Sequence, residues 1–535
     1  MPEAKAAPHL LILAEPLLRE GLVRLLESNH RISTNPVGLS SGVQLVIWSC
    51  GAELPLANLQ RELAQLQERW QPAPVLLLLP GQTPYPNEAL LRLSAEGLLQ
   101  QAEPGEIPEA VSTLLSGGRV VELRPLAANT PDVDPIGFGQ WLLRSGLNQI
   151  HAEQRRCQRW LEQCGGGWSR LLLLGRLREL QAARNLLLWL WGPVSMAFPD
   201  PATAAPSEPQ QHHNLAITVR QRTAEGVWQA IQERITASIS ADLSNRSGQL
   251  LALEGLTSEH RRDLLLALIS QLDLLITRLR HEQLRGEELE QRWLQQQPDV
   301  RRLSLRAMAG EYVQLPQQGG LLAVADSLSS ASQLDGLDPD LPLALPMLGA
   351  LVQASPLLVE GRLLAPDEPQ ALLHLELLIS NWLIRSAELI SAEILSCCST
   401  WPELRRYLLR PDLLATRNLE RLRNQLNSQQ RWGSLFERPV QLYESRRLLF
   451  GLQNGAITPL LLTEPRDAEL KQLSWSQQLI TLSLEARDAL APQLQSVVRR
   501  LGDLLVVVLT QVIGRAIGLV GRGILQGLGR SVSRG

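Results

Sequence analysis

Lysine is the reactive residue this chain almost lacks. Lys5 and Lys471 stand against 49 arginines. A Walker A loop needs Gly-Lys-Ser/Thr, a kinase needs a strand lysine and a pyridoxal enzyme needs a Schiff-base lysine; neither lysine has such a context. The five cysteines, Cys50, Cys157, Cys164, Cys397 and Cys398, are an odd number without CxxC spacing. They read as buried small residues of a reduced, cytoplasmic-side protein rather than as redox or metal groups. His212 and His213 are adjacent, which suits no single tetrahedral ion, and His281-Glu282 lacks the second histidine of HExxH. Glu287, Glu288, Glu290 and Arg292 suggest a paired-carboxylate site, yet they lie on a Gln-rich helix face where solvation suffices. Gly165 to Gly167 follow no strand and read as a turn, not a phosphate loop. No catalytic residue, cofactor or metal is expected.

The patterned chemistry is arginine chemistry. From Arg410 to Phe450, Pro411 opens a helix whose apolar side is Ala415, Leu419, Leu422 and Leu426. Its other side carries Arg417, Arg421 and Asn424, a face able to grip an acidic or carbonyl-rich surface. A second helix is expected from Pro439. Leu442, Tyr443, Leu449 and Phe450 form its apolar side, Glu444, Arg446 and Arg447 are its charges, and Gly451 is its cap. With Trp432, the residues Arg417, Arg421, Asn424, Tyr443, Arg446 and Arg447 form a candidate protein-partner surface. The competing reading is a helical hairpin whose arginines pair internally with Glu420, Glu437 and Glu444.

The block TRNLERLRN, then Trp432, then RPVQLYESRRLLFG, together with GEYVQLP around Tyr312, resembles the hypothetical chloroplast reading frame fifty-five family of cyanobacteria and red-algal plastids. The resemblance covers the C-terminal half from about Asp299. It implies a photosynthetic organism and a thylakoid-side role, and it carries over no catalytic residue.

At 535 residues, three or four domains are expected. Leu, Arg, Gln and Glu dominate, with four Phe and four Tyr, so the body should be mainly helical. A net charge of −3 does not suggest nucleic-acid binding, although the region after Glu403 leans basic.

From His9 to Leu123, short apolar runs such as HLLILA, VQLVIW and PVLLLLP alternate with helical stretches, the rhythm of a parallel α/β sheet. LLILAEPLLREGLVRLLE and EALLRLSAEGLLQQAEPGEIPEAVSTLLSGG resemble parts of the receiver domain of two-component response regulators. That resemblance implies a flavodoxin-like fold and, for phosphotransfer, an aspartate nucleophile, an acidic pair for Mg²⁺, a hydroxyl and a lysine. Here Glu15 alone remains of the acidic pair, and Trp48 lies in the nucleophile run Ile47 to Ser49. Leu79 stands near the hydroxyl position and Gln101, or Gln100, replaces the lysine. The interval NPVGLSSG is too short for a second helix. The domain should keep the scaffold without phosphorylation and offer its fourth helix, fifth strand and fifth helix as a docking face.

The expected order is a receiver-like domain over 1–123, a helical hairpin over 136–198, a linker over 199–213, a helical region over 214–298, a helical family domain over 299–496 and a tail over 497–535. Residues Ser258 to Gln297 read as one helix of about 60 Å. Residues 341–359 are uncharged, but Pro342, Pro346 and Pro356 favour a buried broken helix over a membrane span. In the tail, Arg515 and Arg522 share one face, and Ile517, Val520 and Ile524 lie among its apolar residues. Interfacial contact with an anionic membrane is the preferred reading; helix self-association and packing on the core remain open. The chain as a whole reads as a non-enzymatic regulatory or scaffolding protein with protein partners, cytoplasmic or peripheral to a thylakoid or plasma membrane. A response regulator with signalling output, or an enzyme using the Arg417, Arg421 and Tyr443 face, is the alternative.

Overall fold

Apart from the second, at the edge of the sheet, the strands that organise the N-terminal part are buried on both sides. The computed structural model describes residues 7–36, 42–51, 54–81, 83, 85–124, 215–240, 243–310, 314–317, 320–329, 332–336, 338 and 340–485. In order come β1 (His9–Leu13), α1 (Pro16–Leu26), β2 (Arg31–Ser33), β3 (Leu45–Ser49), α2 (Leu56–Trp70), β4 (Val75–Leu79), α3 (Asn87–Leu91), β5 (Gly97–Gln100), α4 (Glu106–Leu115) and β6 (Arg119–Leu123). The sheet order is β2-β1-β3-β4-β5-β6, all parallel. In β1, Leu10 and Ile12 pack with Leu22 and Leu26 of α1, while Leu11 faces Leu59 and Leu63 of α2. Two apolar faces per strand are what a parallel sheet with helices on both sides requires. The first five strands follow the receiver-like order, and no helix separates β2 from β3 among the described residues.

The sheet goes further than the sequence reading placed it. The sixth strand, β6, was not anticipated, and the segment from 214, expected to be helical, begins with β7 (Leu215–Val219). That strand pairs antiparallel with β6, with Leu123 opposite Leu215 and Arg119 opposite Val219. The five-residue runs RVVEL and LAITV are too short and too β-branched to prefer helix in this setting.

The body continues with α5 (Ala224–Ser240), β8 (Ser244–Asn245), α6 (Ser258–Glu282), α7 (Gly286–Ala309), β9 (Gln314–Gln317), β10 (Gly320–Ala323), α8 (Val324–Ser329) and α9 (Ala344–Gln353). Next come β11 (Leu357–Val359), β12 (Arg362–Leu364), α10 (Pro369–Thr400), α11 (Pro402–Leu408), α12 (Thr416–Trp432), α13 (Arg438–Tyr443), β13 (Arg446–Gln453), β14 (Ala456–Thr463), α14 (Asp467–Leu470) and α15 (475–485). The expected 60 Å helix is two helices. Gln283 and Gly286 take φ of 52° and 55°, which reverses the chain, and Arg292 pairs with Glu282 across the turn at 3.2 Å. Helix α10 is the axis of the body, with Leu372, Leu375, Ile379, Leu383 and Ile390 fully buried. The broken stretch around 341–359 forms α9 and then β11. No helix among the described residues is long and apolar enough to cross a membrane.

Two further corrections concern strands. The GEYVQLP region leads into the antiparallel pair β9 and β10, and the supposed helix from Pro439 to Phe450 ends at Tyr443. Ser445, at φ 52°, breaks it, and residues 446–453 are strand. Asn454-Gly455, at φ 51° and 73°, supplies the hairpin turn to β14. Gly451, expected as a helix cap, therefore sits inside a strand.

The chain divides into two compact units, one of residues 1–428 and 448–462, the other of residues 429–447 and 463–535. Inside the second, Arg447 and Arg466 are buried against Glu464 and Glu469. Arg447 meets both carboxylates, at 2.6 Å for Glu469, and Arg466 meets Glu469 at 2.7 Å.

Candidate functional site

At the carboxyl end of the sheet, the row where a phosphoryl acceptor would stand is apolar or neutral. Trp48 lies opposite Leu13 in the β1–β3 pairing and is buried with Leu59, Leu63 and Tyr85; Leu79 is buried at the end of β4. Glu15 is exposed at the start of α1, away from any second carboxylate in the row. Gln100 is buried, and its side chain donates to the Gly81 carbonyl and Thr83 Oγ1, both at 3.3 Å, while accepting from the Arg124 N–H at 3.1 Å. Its polar atoms are thereby consumed in closing the loops. Gln101, at φ 54°, turns out of the strand, and its side chain lies over Gly81, where a Cβ would meet Oε1 at 2.5 Å. Burial also pushes up the Cys50 thiol beside this row. Among the described residues no group of three or more His, Cys, Asp and Glu gathers to hold a metal.

Of the docking face expected of the fourth helix, fifth strand and fifth helix, the strand edge is occupied by the chain itself. The β5 edge is closed by β6 and then β7. After α3, Arg92 pairs with Glu360 in the β11–β12 turn at 3.0 Å. Arg119, buried at the start of β6, and Arg222, after β7, converge on Asp367 at 3.4 and 3.8 Å. Burial pulls the Arg119 pKa down and the Asp367 carboxylate pushes it back up. On α5, Arg234 donates to the Ala216 carbonyl of β7 and to Glu376 of α10 at 2.8 Å. One guanidinium thus ties the sheet edge to the central helix.

A carboxylate that the sequence reading did not single out sits deeper. Glu388 of α10 accepts the backbone N–H groups of Ala252 and Leu253, both at 2.8 Å, at the start of a 3₁₀ turn over Ala252–Gly255. Burial raises it to about 7, against the two backbone donors and Arg385, which lower it, while Glu254 raises it further. Four charges, Glu376, Arg385, Glu388 and Glu393, stand in the 32-residue apolar helix α10, and this was the sequence signal available. On the same helix, burial and Glu393 push the Cys397 thiol up to about 12.

The arginine surface is only partly brought together. Arg417, Arg421 and Asn424 are exposed on α12, opposite buried Leu419 and Leu422, and none has an ion pair among the described residues. Trp432 is half-buried and stacks on Phe436 at 4.3 Å. Tyr443 is half-buried. Arg446 is exposed and pairs with Glu444 at 3.0 Å. Arg447 cannot present itself to a partner, because it is buried in the ion cluster with Glu464 and Glu469; strand geometry turns it inward while Arg446 points out. The internal pairing weighed from sequence accounts for Glu420, which meets Arg423 at 2.8 Å, and for Glu444. The helical hairpin over 136–198, the linker over 199–213 and the tail residues Arg515, Ile517, Val520, Arg522 and Ile524 lie outside the described residues.

Two family models match parts of the chain. Residues 338–529 match a family described as a protein of unknown function, DUF3685, and residues 137–191 match the helical hairpin domain of cyanobacterial response regulators. A "Ycf55-like protein" of Synechocystis sp. is 26% identical over 97% of this chain and 96% of its own length. "Uncharacterized protein ycf55" of Pyropia yezoensis and its namesake of Porphyra purpurea are 28% and 29% identical, each over 25% of this chain and 42% of their own length. The crystal structure of the response regulator ChrA of a heme-sensing two-component system matches with 18% identity over 36% of this chain and 92% of that one, at a TM-score of 0.17.

Proposed function

We propose that this chain, similar over 97% of its length to a Ycf55-like protein of Synechocystis sp., is a non-enzymatic regulatory or scaffolding protein of a photosynthetic organism. In this reading its receiver-like domain no longer accepts a phosphoryl group. The observation that carries it is the carboxyl end of the sheet, where Trp48 and Leu79 are core residues and Gln100 spends its polar atoms on Gly81, Thr83 and Arg124. Phosphoryl transfer needs an acceptor and a Mg²⁺ site, and neither is supplied by these groups. The ion pairs of Asp367 and Glu376 favour a domain used as part of a fixed scaffold rather than one that moves on a signal. The match of residues 137–191 to a response-regulator hairpin supports a regulatory context. The exposed Arg417, Arg421 and Asn424 face suits an acidic protein partner.

A peripheral membrane location is part of the same proposal. Between Val497 and Gly535, Arg499, Arg500, Arg515, Arg522, Arg530 and Arg534 face a single acid, Asp503, with apolar runs between them. That composition suits an anionic lipid surface.

Incubation with acetyl phosphate and Mg²⁺, followed by intact mass, tests the central claim. No mass gain is expected. An acid-labile gain of about 80 Da, one phosphoryl group, refutes it.

A further inference from the structure

Helix α15 (475–485) is apolar on two opposite sides, and the structure accounts for one. Leu484 and Thr481 are buried and Ile480 is half-buried, whereas Trp475, Leu479 and Leu482 are 75%, 54% and 58% exposed. Spacings of four and three put those three on one stripe, about 180° from Leu484. Ser476, Gln478, Ser483 and Glu485 flank it, so among the described residues no lysine or arginine stem covers it. Residues 434 and 477 brace the buried side, where the Gln477 amide donates to the Ser434 carbonyl at 2.7 Å. A helix apolar on two opposite sides ordinarily has both sides covered.

The neighbouring sequence indicates the cover. The stripe ends at Leu482, fifteen residues before Val497, where the Arg-rich, nearly acid-free apolar composition described above begins. An exposed Trp beside two Leu and polar flanks has the chemistry of an interfacial contact: the ring and alkyl groups enter the headgroup and acyl boundary while the flanks stay wet. We propose that the Trp475, Leu479 and Leu482 face inserts into an anionic lipid surface, forming a second contact beside the tail. This inference rests on the membrane part of the proposed function.

The test uses the full-length chain and vesicles of phosphatidylcholine with phosphatidylglycerol. Three variants are compared with the unaltered protein by flotation: Leu479→Gln with Leu482→Gln, Trp475→Phe, and Arg515→Gln with Arg522→Gln. Vesicles with brominated acyl chains report Trp depth by quenching. The leucine pair variant should bind roughly tenfold more weakly, since two apolar side chains leave the interface. Trp475→Phe should remove a quenched component of the emission. If the unaltered protein does not float, the membrane reading and this inference both fall. If the arginine variant loses binding while the leucine variant binds normally and Trp475 contributes no quenching, the membrane reading stands and this inference is overturned. It is also overturned if the leucine variant melts several degrees lower, which marks a face covered by the chain itself, or converts a dimer to a monomer, which marks a second copy as the occupant.

Discussion

Replacing Glu388 by Gln should remove a pH dependence that one carboxyl group builds into the body of the protein. Glu388 rises from the ordinary 4.5 to about 7 because burial opposes its charge more than the Ala252 and Leu253 N–H groups and Arg385 support it. Between those values the folded chain holds a proton that the unfolded chain has released. Stability from this group is therefore fully present below about 4.5 and is lost as pH rises through about 7. At about 1.4 kcal/mol per pH unit, the interval corresponds to about 3 kcal/mol, an upper bound because the side chain keeps some contact with water. Glutamine keeps one acceptor for the paired amides and faces the other with an N–H₂ group, which costs about 1–3 kcal/mol at any pH. The variant should thus be less stable than the native protein near pH 5 and close to it, or slightly better, near pH 8. Hydrogen exchange of the peptide spanning 249–256, corrected for the intrinsic pH dependence of exchange, reads this locally and avoids assuming one global transition for 535 residues. Protection factors that run parallel for the two proteins from pH 5 to 8 would show that Glu388 does not titrate in the folded state.

Asp367→Ala should destabilise the chain by about 3 kcal/mol, because it leaves the buried Arg119 guanidinium without its carboxylate. Thermal unfolding checks it, and a loss below about 1 kcal/mol would mean that water already serves Arg119. Arg421→Ala should leave thermal stability within about 0.5 kcal/mol, since the side chain is exposed and has no ion pair among the described residues. An unfolded variant would make that arginine structural rather than a contact for partners.

The sheet was legible from sequence wherever a strand is an uncharged apolar run; β6, also buried on both faces, was missed because Arg119 and Glu122 interrupt its run. Runs such as VLLLL at 75–79 carry no helical period and are bounded by Pro74 and Pro80, so periodicity and breakers agree. The long helix α10 was legible for the complementary reason, an apolar pattern that begins at Pro369 and meets no proline before Pro402. What failed was local and short. Strands β6 and β7 are decided by pairing with each other across about 90 residues, which propensity does not encode, whereas β13 pairs with the next strand and Asn454-Gly455 was a hairpin signal in plain view. The break at Gln283 depends on two residues in the left-handed region, and a Leu- and Gln-rich sequence continues across it without a proline. The residue types at Glu15, Trp48, Leu79 and Gln101 were readable because they are facts of the sequence. The clamps at Asp367 and Glu388 were not, since each joins groups more than a hundred residues apart.

The pairing of β6 with β7 leads to a last expectation, concerning the segment between them. Leu123 and Leu215 are cross-strand partners, so the chain leaves the sheet and returns at the same place, with about 90 residues between. For a flexible connection the closure cost grows with the logarithm of its length, so replacing about 90 residues by a four-residue turn recovers at most about 2–3 kcal/mol. Nothing in the β6–β7 register requires the segment: its five cross-strand pairs run from Arg119 and Val219 to Leu123 and Leu215, and Arg119, Arg222 and Asp367 meet at the end away from the insertion. A chain in which 125–214 is replaced by an Asn-Gly turn with one residue on each side should fold with the far-ultraviolet signature of the remaining body and melt no lower than the full chain. It should also keep the hydrogen-exchange protection of 215–219. Loss of that protection, or a lower melting temperature, would show that residues 125–214 help hold the sheet together, and the view of the sheet as complete without them would be wrong.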